Sequence, residues 1–150
     1  MAFLEKQLEI KESNLAGAGL GLFTAGFISK GARIVQYKGR RCTWKEVKND
    51  DGNFYIFYVT SSHVIDAQNY KASFARYIND AAGLTRVKGL TNNTHFLREK
   101  DKIFVEAIKD IPAGGELFVS YGKEYWEVIK LNMKTAKAYA LRTAKEMTKY

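Results

Sequence analysis

Glycines at positions 17, 19 and 21, in Gly17-Ala-Gly-Leu-Gly-Leu-Phe23, let the backbone turn sharply and approach a ligand with no Cβ in the way. Two further segments crowd polar and aromatic side chains into a few residues: Ala75-Arg-Tyr-Ile-Asn-Asp80 and Gly115-Glu-Leu-Phe-Val-Ser-Tyr-Gly122. Taken singly, each has a plain structural reading, as a turn, the end of an element and a strand. The glycine run is not a dinucleotide fingerprint, which needs G-x-G-x-x-G spacing between a strand and a long helix. Metal chemistry lacks its ligands, because Cys42 is the only cysteine and His63 and His95 are the only histidines, with no paired spacing to carboxylates. An intrachain disulfide is impossible for the same reason. Cys42 follows Arg41 and so is a candidate reactive thiol, although a lone Cys between a strand and a helix reads more readily as inert.

Together, and in this order, the three segments resemble the SET domain, a fold that moves a methyl group from S-adenosylmethionine to a lysine. Gly19, Leu20 and Gly21 match the family's G-x-G-hydrophobic-Phe, whose loop backbone lies against the methionine part of the cofactor. Ile28-Ser-Lys-Gly-Ala-Arg-Ile-Val-Gln-Tyr-Lys-Gly39 is similar to the pattern that supplies a strand pair and an aromatic near the lysine channel, which implies that Tyr37 walls it. Ile65 to Asp80 resembles the Asp-Ala…Asn-x-x-Arg-Phe-Ile-Asn-His stretch that threads through a loop closed by a later segment, a knot-like arrangement. The resemblance gives Asn79 the amino-acid part of the cofactor, and its amide offers both the donor and the acceptor that a zwitterion needs. Arg76 would hold the threaded segment through several hydrogen bonds. Tyr77 and Asp80 complete this part of the cofactor set, with Asp80 standing where the family's His contacts adenine through its backbone. Here the sequence departs from the pattern: the usual Asn-His-Ser-Cys reads Asn79-Asp80-Ala81-Ala82, and the Pro-Asn that follows is displaced, with Asn92 or Asn93 as its remnant.

Val105 to Gly122 is similar to the family's closing stretch, Ala-x-x-x-Ile-x-x-Gly-Glu-Glu-Leu-x-x-x-Tyr-Gly. Tyr121 would then sit where the substrate lysine meets the cofactor methyl, with Trp126 over the adenine. Tyr37, Val119, Tyr121 and Tyr125 would line the substrate channel, Val119 standing where many relatives carry Phe or Tyr. The resemblance implies that Tyr121 and Tyr37 do the catalytic work. A narrow aromatic tunnel beside a positive sulfonium disfavours the lysine's charge by desolvation and like-charge repulsion, so the amine arrives neutral. The implied activity is that of an S-adenosylmethionine-dependent protein-lysine N-methyltransferase without a metal; the alternative is a non-catalytic SET-like binding module working through a basic C-terminal helix.

The elements that must position these residues are short. Strands are predicted at 8–11, 20–24, 33–37, 53–60, 63–66, 95–98, 103–107 and 116–120, as short β-rich segments punctuated by Gly and Asn. Thr43 with Glu46 three residues on is a capping box, so a helix of one or two turns should start there, and residues 73–79 are a second short helical candidate. With no long helices between strands this is not a βαβ pattern, and the expected class is mainly β (α+β): a SET-domain fold of several small sheets. From Glu124 onward Trp126, Ile129, Met133, Ala136, Ala140, Ala144 and Met147 recur at spacings of three and four. They predict an amphipathic helix about 25 residues, or roughly 37 Å, long. The expected division is a SET domain over 1–127 and this helix over 128–150, packed on the domain or at a homodimer interface.

At 150 residues, 46% hydrophobic and 27% charged, the chain fits one soluble domain. No apolar run approaches the roughly 20 residues of a membrane helix. Its start, Met-Ala-Phe-Leu-Glu-Lys, lacks a basic and then long apolar stretch, so a cytoplasmic location is expected. A net charge of +8 favours an acidic partner surface or nucleic acid, and half of the excess lies in residues 123–150, with seven basic side chains against three acidic. No nucleic-acid motif accompanies that charge, which leaves nucleic acid at most an indirect partner. A lysine-containing protein is the expected substrate, and a histone, a histone-like protein and a ribosomal or other cytosolic protein all fit.

Overall fold

A computed structural model describes residues 4–47, 56–60, 62–68, 73–83, 86–100 and 102–122. The chain divides into two compact units, residues 1–120 and 121–150. Among the described residues of the first, nine strands form three three-stranded antiparallel sheets. The sheet β1 (Leu8–Glu12), β2 (Leu20–Thr24) and β9 (Glu116–Leu117) has β2 in its centre. In the second, β8 (Lys102–Ala107) lies between β3 (Arg33–Gln36) and β7 (Thr94–Glu99); in the third, β6 (His63–Asp66) lies between β4 (Arg40–Cys42) and β5 (Ile56–Thr60).

Central strands are covered on both faces, and they carry the continuous buried runs: Gly21 to Thr24, Ile103 to Val105, and His63 to Ile65. The edge strand β1 buries only Leu8 and presents Glu9 and Lys11 as an exposed ion pair at 3.2 Å, a charged edge that discourages pairing with another chain. Ile28, Ile34, Ile78, Ile111 and Val119 fill the interior with the central-strand residues Leu22, Val64, Ile103 and Val105, and with Leu117. A smaller apolar cluster joins Leu15, Ala81 and Phe118, with Val87 and Leu90 packed against it.

Six of the eight predicted strands fall within a residue or two of their observed limits. Of the run 53–60, Ile56–Thr60 is strand and 53–55 lie outside the described residues. Two differences have physical causes. Strand β4, Arg40-Arg-Cys42, escapes pattern reading because it is short and charged; it forms because Cys42 is buried opposite Val64. The predicted strand 116–120 stops after Leu117 as a partner of β2, because the backbone then changes partners: Phe118 pairs in parallel with Asn79, and Val119 with Thr94.

The capping-box helix is a single turn, α1 (Trp44–Val47), in which the Glu46 carboxylate accepts the Thr43 N–H at 2.9 Å and its hydroxyl at 3.0 Å. Those two bonds hold the Glu46 carboxyl below its usual value, against a smaller upward effect of burial and with Arg40 adding to the lowering. The 73–79 candidate is a 3-10 turn over Phe74–Tyr77, and a second such turn spans Glu5–Gln7. The predicted C-terminal helix lies outside the described residues. Cys42 is buried with its Sγ 3.6 Å from the Val64 carbonyl, and burial pushes its thiol up despite the opposing charge of Arg40. Both fit the inert reading of the thiol.

Candidate active site

The glycine turn is closed by its own backbone, with Ser13 N–H donating to the Gly19 carbonyl at 2.8 Å. Gly19 has φ +74°, in the left-handed region where a side chain would be strained, and β2 starts directly after it. Leu20, the first residue of that strand, is 52% exposed, so an apolar side chain and the turn's backbone face outward together.

Gly21 has a different constraint. A Cβ there would overlap Oε2 of Glu116. Glu116 is buried on β9, and its carboxylate accepts from the Ser13 hydroxyl at 2.6 Å and from the Asn14 N–H at 2.8 Å. It therefore ties the base of the glycine turn to the closing strand. Charge-assisted bonds of this kind are about twice as strong as neutral ones.

Asn79 reaches the same place from the other direction. Its Nδ2 donates to the Leu20 carbonyl at 3.0 Å, and its backbone carbonyl accepts the Val119 N–H at 2.9 Å. Its Oδ1 takes no hydrogen bond among the described residues, which leaves an acceptor beside the exposed backbone of the turn. Asp80 is buried, with Oδ1 accepting from the Ala82 N–H at 2.8 Å and from Asn92 Nδ2 at 3.0 Å. Just upstream, Arg76 Nη1 donates to the Ala67 and Gln68 carbonyls at 2.7 Å each, while its guanidinium lies 4.9 Å from the centre of the Tyr77 ring.

Gly19, Leu20, Gly21, Asn79 and Val119 are thus brought together by direct contacts or chain adjacency, with Tyr77 and Asp80 flanking Asn79. Val119 is fully buried. Tyr37 lies at the end of β3, on a different sheet, its N–H donating to the Ile103 carbonyl at 2.8 Å. Its buried ring meets Phe57 at 5.5 Å and Phe96 at 6.0 Å, and those two rings pack edge to face at 4.9 Å. Tyr121 is the first residue of the second unit, and Tyr125 and Trp126 lie outside the described residues.

Reading the sequence alone misses four participants. Ser13 and Glu116 show no spacing that announces their contact across 103 positions. Phe57 and Phe96 are ordinary strand aromatics until the sheets assemble. The Asn92-Asn93 doublet was the one visible signal, and both residues are used: Asn92 against Asp80, and Asn93 against the backbone of Glu116 and Phe118.

The residues fit S-adenosylmethionine on one observation in particular: an open glycine backbone and an unengaged amide oxygen stand side by side, as a ligand carrying both an ammonium and a carboxylate requires. Among the described residues no group of three His, Cys, Asp or Glu side chains converges, and no helix is long and apolar enough to cross a membrane.

Comparison with known proteins agrees with this geometry. The family model described as the SET domain matches residues 19–122. The chain is 36% identical over 123 residues to histone-lysine N-methyltransferase set-17 of Caenorhabditis elegans, a match covering 77% of this chain and 41% of that protein. It is 28% identical over 138 residues to histone-lysine N-methyltransferase EZH2 of Chaetomium thermophilum, covering 83% of this chain and 9% of that one. The chain therefore spans less than half the length of these curated relatives. Among solved structures, the methyltransferase domain of human PR domain-containing protein 2 superposes with a TM-score of 0.60 at 25% identity, over 77% of each chain. With Gly19 to Phe23, the Asn79 segment and the closing strand all inside the matched residues, this chain belongs to the SET domain family.

Proposed function

We propose that the chain is a protein-lysine N-methyltransferase that uses S-adenosylmethionine. The observation that carries this reading is the 3.0 Å bond from the Asn79 amide to the Leu20 carbonyl, which joins two of the three motif segments into one ligand-facing surface. The names of the two relatives support a lysine of a histone or histone-like protein as the acceptor. The change of partner at Phe118 supports a threaded arrangement around the Asn79 segment.

When bound, S-adenosylmethionine supplies a methyl group on a positively charged sulfur. Gly19, Leu20 and Gly21 would lie along its methionine part, Asn79 would hold the amino-acid end, and Tyr77, Asp80 and Trp126 would flank the rest. Tyr37, packed against Phe57 and Phe96, would form an apolar wall of the channel that excludes water and disfavours a charged amine. Val119 and Tyr125 would complete the channel. Tyr121 would orient the neutral lysine amine through its hydroxyl, so positioning is the main catalytic contribution. The 128–150 helix would pack on the domain or on a second copy.

Calorimetric titration with S-adenosylmethionine tests the reading, with Asn79→Ala as control. Saturable binding that the substitution abolishes, followed by transfer of labelled methyl to recombinant core histones, is the expected result. No binding at millimolar concentration would overturn it in favour of a non-catalytic module.

A further inference from the structure

The carboxylate at position 80 is turned into the protein, only 5% exposed, and its Oδ1 accepts hydrogen bonds from its own segment and from Asn92. Asn92 donates from Nδ2 to Asp80 Oδ1 at 3.0 Å while its own Oδ1 accepts the Ala81 N–H at 2.9 Å. The Ala82 N–H donates to the same Asp80 oxygen at 2.8 Å. Both ends of one amide are thus spent on two consecutive residues of the Asn79 segment.

The next residue faces the opposite way. Asn93 donates from Nδ2 to the Glu116 carbonyl at 2.9 Å and accepts the Phe118 N–H on Oδ1 at 2.8 Å. Two adjacent asparagines therefore staple residues 80 and 81 to residues 116 and 118, beside the bond from the Val119 N–H to the Asn79 carbonyl. Val87 and Leu90, from the segment that precedes the doublet, seal the join against Leu15, Ala81 and Phe118.

Asn79 is one residue from Asp80, so the direction of its amide depends on how residues 80–82 are held. We infer that Asp80 and Asn92 are positioning residues for cofactor binding: the Asn92 amide, bonded to the Asp80 carboxylate and to the Ala81 N–H, sets the Asn79 amide against the Leu20 carbonyl and so shapes the surface that takes S-adenosylmethionine. This rests on the function proposed above. It also assigns a task to the segment inserted between Asp80 and the displaced asparagines, which returns the Asn92 amide to residues 80 and 81.

The test measures the S-adenosylmethionine dissociation constant by calorimetry and the melting temperature for the full-length wild type and for Asn92→Ala, Asp80→Ala, the double variant and Asp80→Asn. Each alanine should weaken binding roughly tenfold, the worth of one charge-assisted hydrogen bond. The double variant should be little worse than either single one, because both remove the same contact. Asp80→Asn keeps an oxygen that accepts both donors and should restore binding to within about threefold of wild type, on the same hydrogen-bond scale. Should an alanine variant fail to fold, Asn92→Gln moves the amide by one methylene and should still weaken binding. Wild-type binding with unchanged affinity in folded Asn92 and Asp80 variants would overturn this inference and leave the proposed function standing. Loss of affinity only in step with loss of stability, without rescue by Asp80→Asn, would overturn it too. Failure of the wild type itself to bind would overturn the function first.

Discussion

The Glu116 carboxylate occupies the space that a side chain at position 21 would need, so Gly21 and Glu116 fit only as a pair. Gly21→Ala must therefore displace Glu116 from Ser13 and Asn14. Overpacking at a buried site of this kind costs about 1–3 kcal/mol. Urea denaturation should show that loss, and it should shrink to nearly nothing when Gly21→Ala is made in a Glu116→Ala background, since coupled neighbours are not additive. Equal costs in the two backgrounds would mean that the overlap is relieved elsewhere.

Arg76 bridges the Ala67 and Gln68 carbonyls from a single nitrogen. Lysine keeps the charge but offers a point donor in place of the planar fork. Arg76→Lys should lower stability by about 1 kcal/mol, the net worth of a hydrogen bond, and thermal melts would detect it. An unchanged melting temperature would show that a lysine spans both carbonyls.

Tyr121 has the role on which the chemistry depends in our proposal. Tyr121→Phe should leave S-adenosylmethionine affinity within about threefold while transfer to core histones falls about 100-fold or more, as when a single positioned donor is removed. A parallel fall in affinity would instead make Tyr121 a binding residue.

The Thr43–Glu46 contact has a definite pH dependence. Its carboxyl is lowered in the folded chain, chiefly by the Thr43 backbone bond and then by the Thr43 hydroxyl. A group depressed on folding contributes above its unfolded value and loses that contribution as the pH falls through its folded value. Protection of the Thr43 amide against hydrogen exchange should accordingly be present at neutral pH and disappear in acid, and Glu46→Gln should flatten the profile. Protection that persists in acid would place the stabilisation elsewhere.

Burial raises the Cys42 thiol and outweighs the opposing charge of Arg40, with Asp66 and Glu46 adding to the rise. Since the thiolate is the nucleophile, iodoacetamide at pH 8 should modify the native protein far more slowly than the urea-unfolded chain. Comparable rates would restore the reactive reading of this cysteine.

Much of the fold was legible because it rests on local rules. Short β-prone runs punctuated by Gly and Asn placed strands β2 and β6 at their observed limits, and the Thr43–Glu46 spacing located α1. Strand β4 was not legible, because Arg40 and Arg41 are exposed and only the burial of Cys42 against Val64 makes a strand of them. The break after Leu117 was hidden for a related reason. Residues 116–119 are uniformly buried, and no periodicity in such a run reveals where one partner gives way to another.

The order and spacing of the glycine turn, the Asn79 segment and the closing strand were by themselves enough to indicate the family, because glycine, asparagine and tyrosine are each needed there for what their own atoms do. Which residue meets which was decided only by the tertiary structure. The Asn79 amide finds Leu20, Glu116 finds Ser13 and Asn14, and Asn92 finds Asp80. Hydrogen bonds act over about 3 Å, and the chain brings these partners to that distance only by folding residues 59, 103 and 12 positions apart into contact.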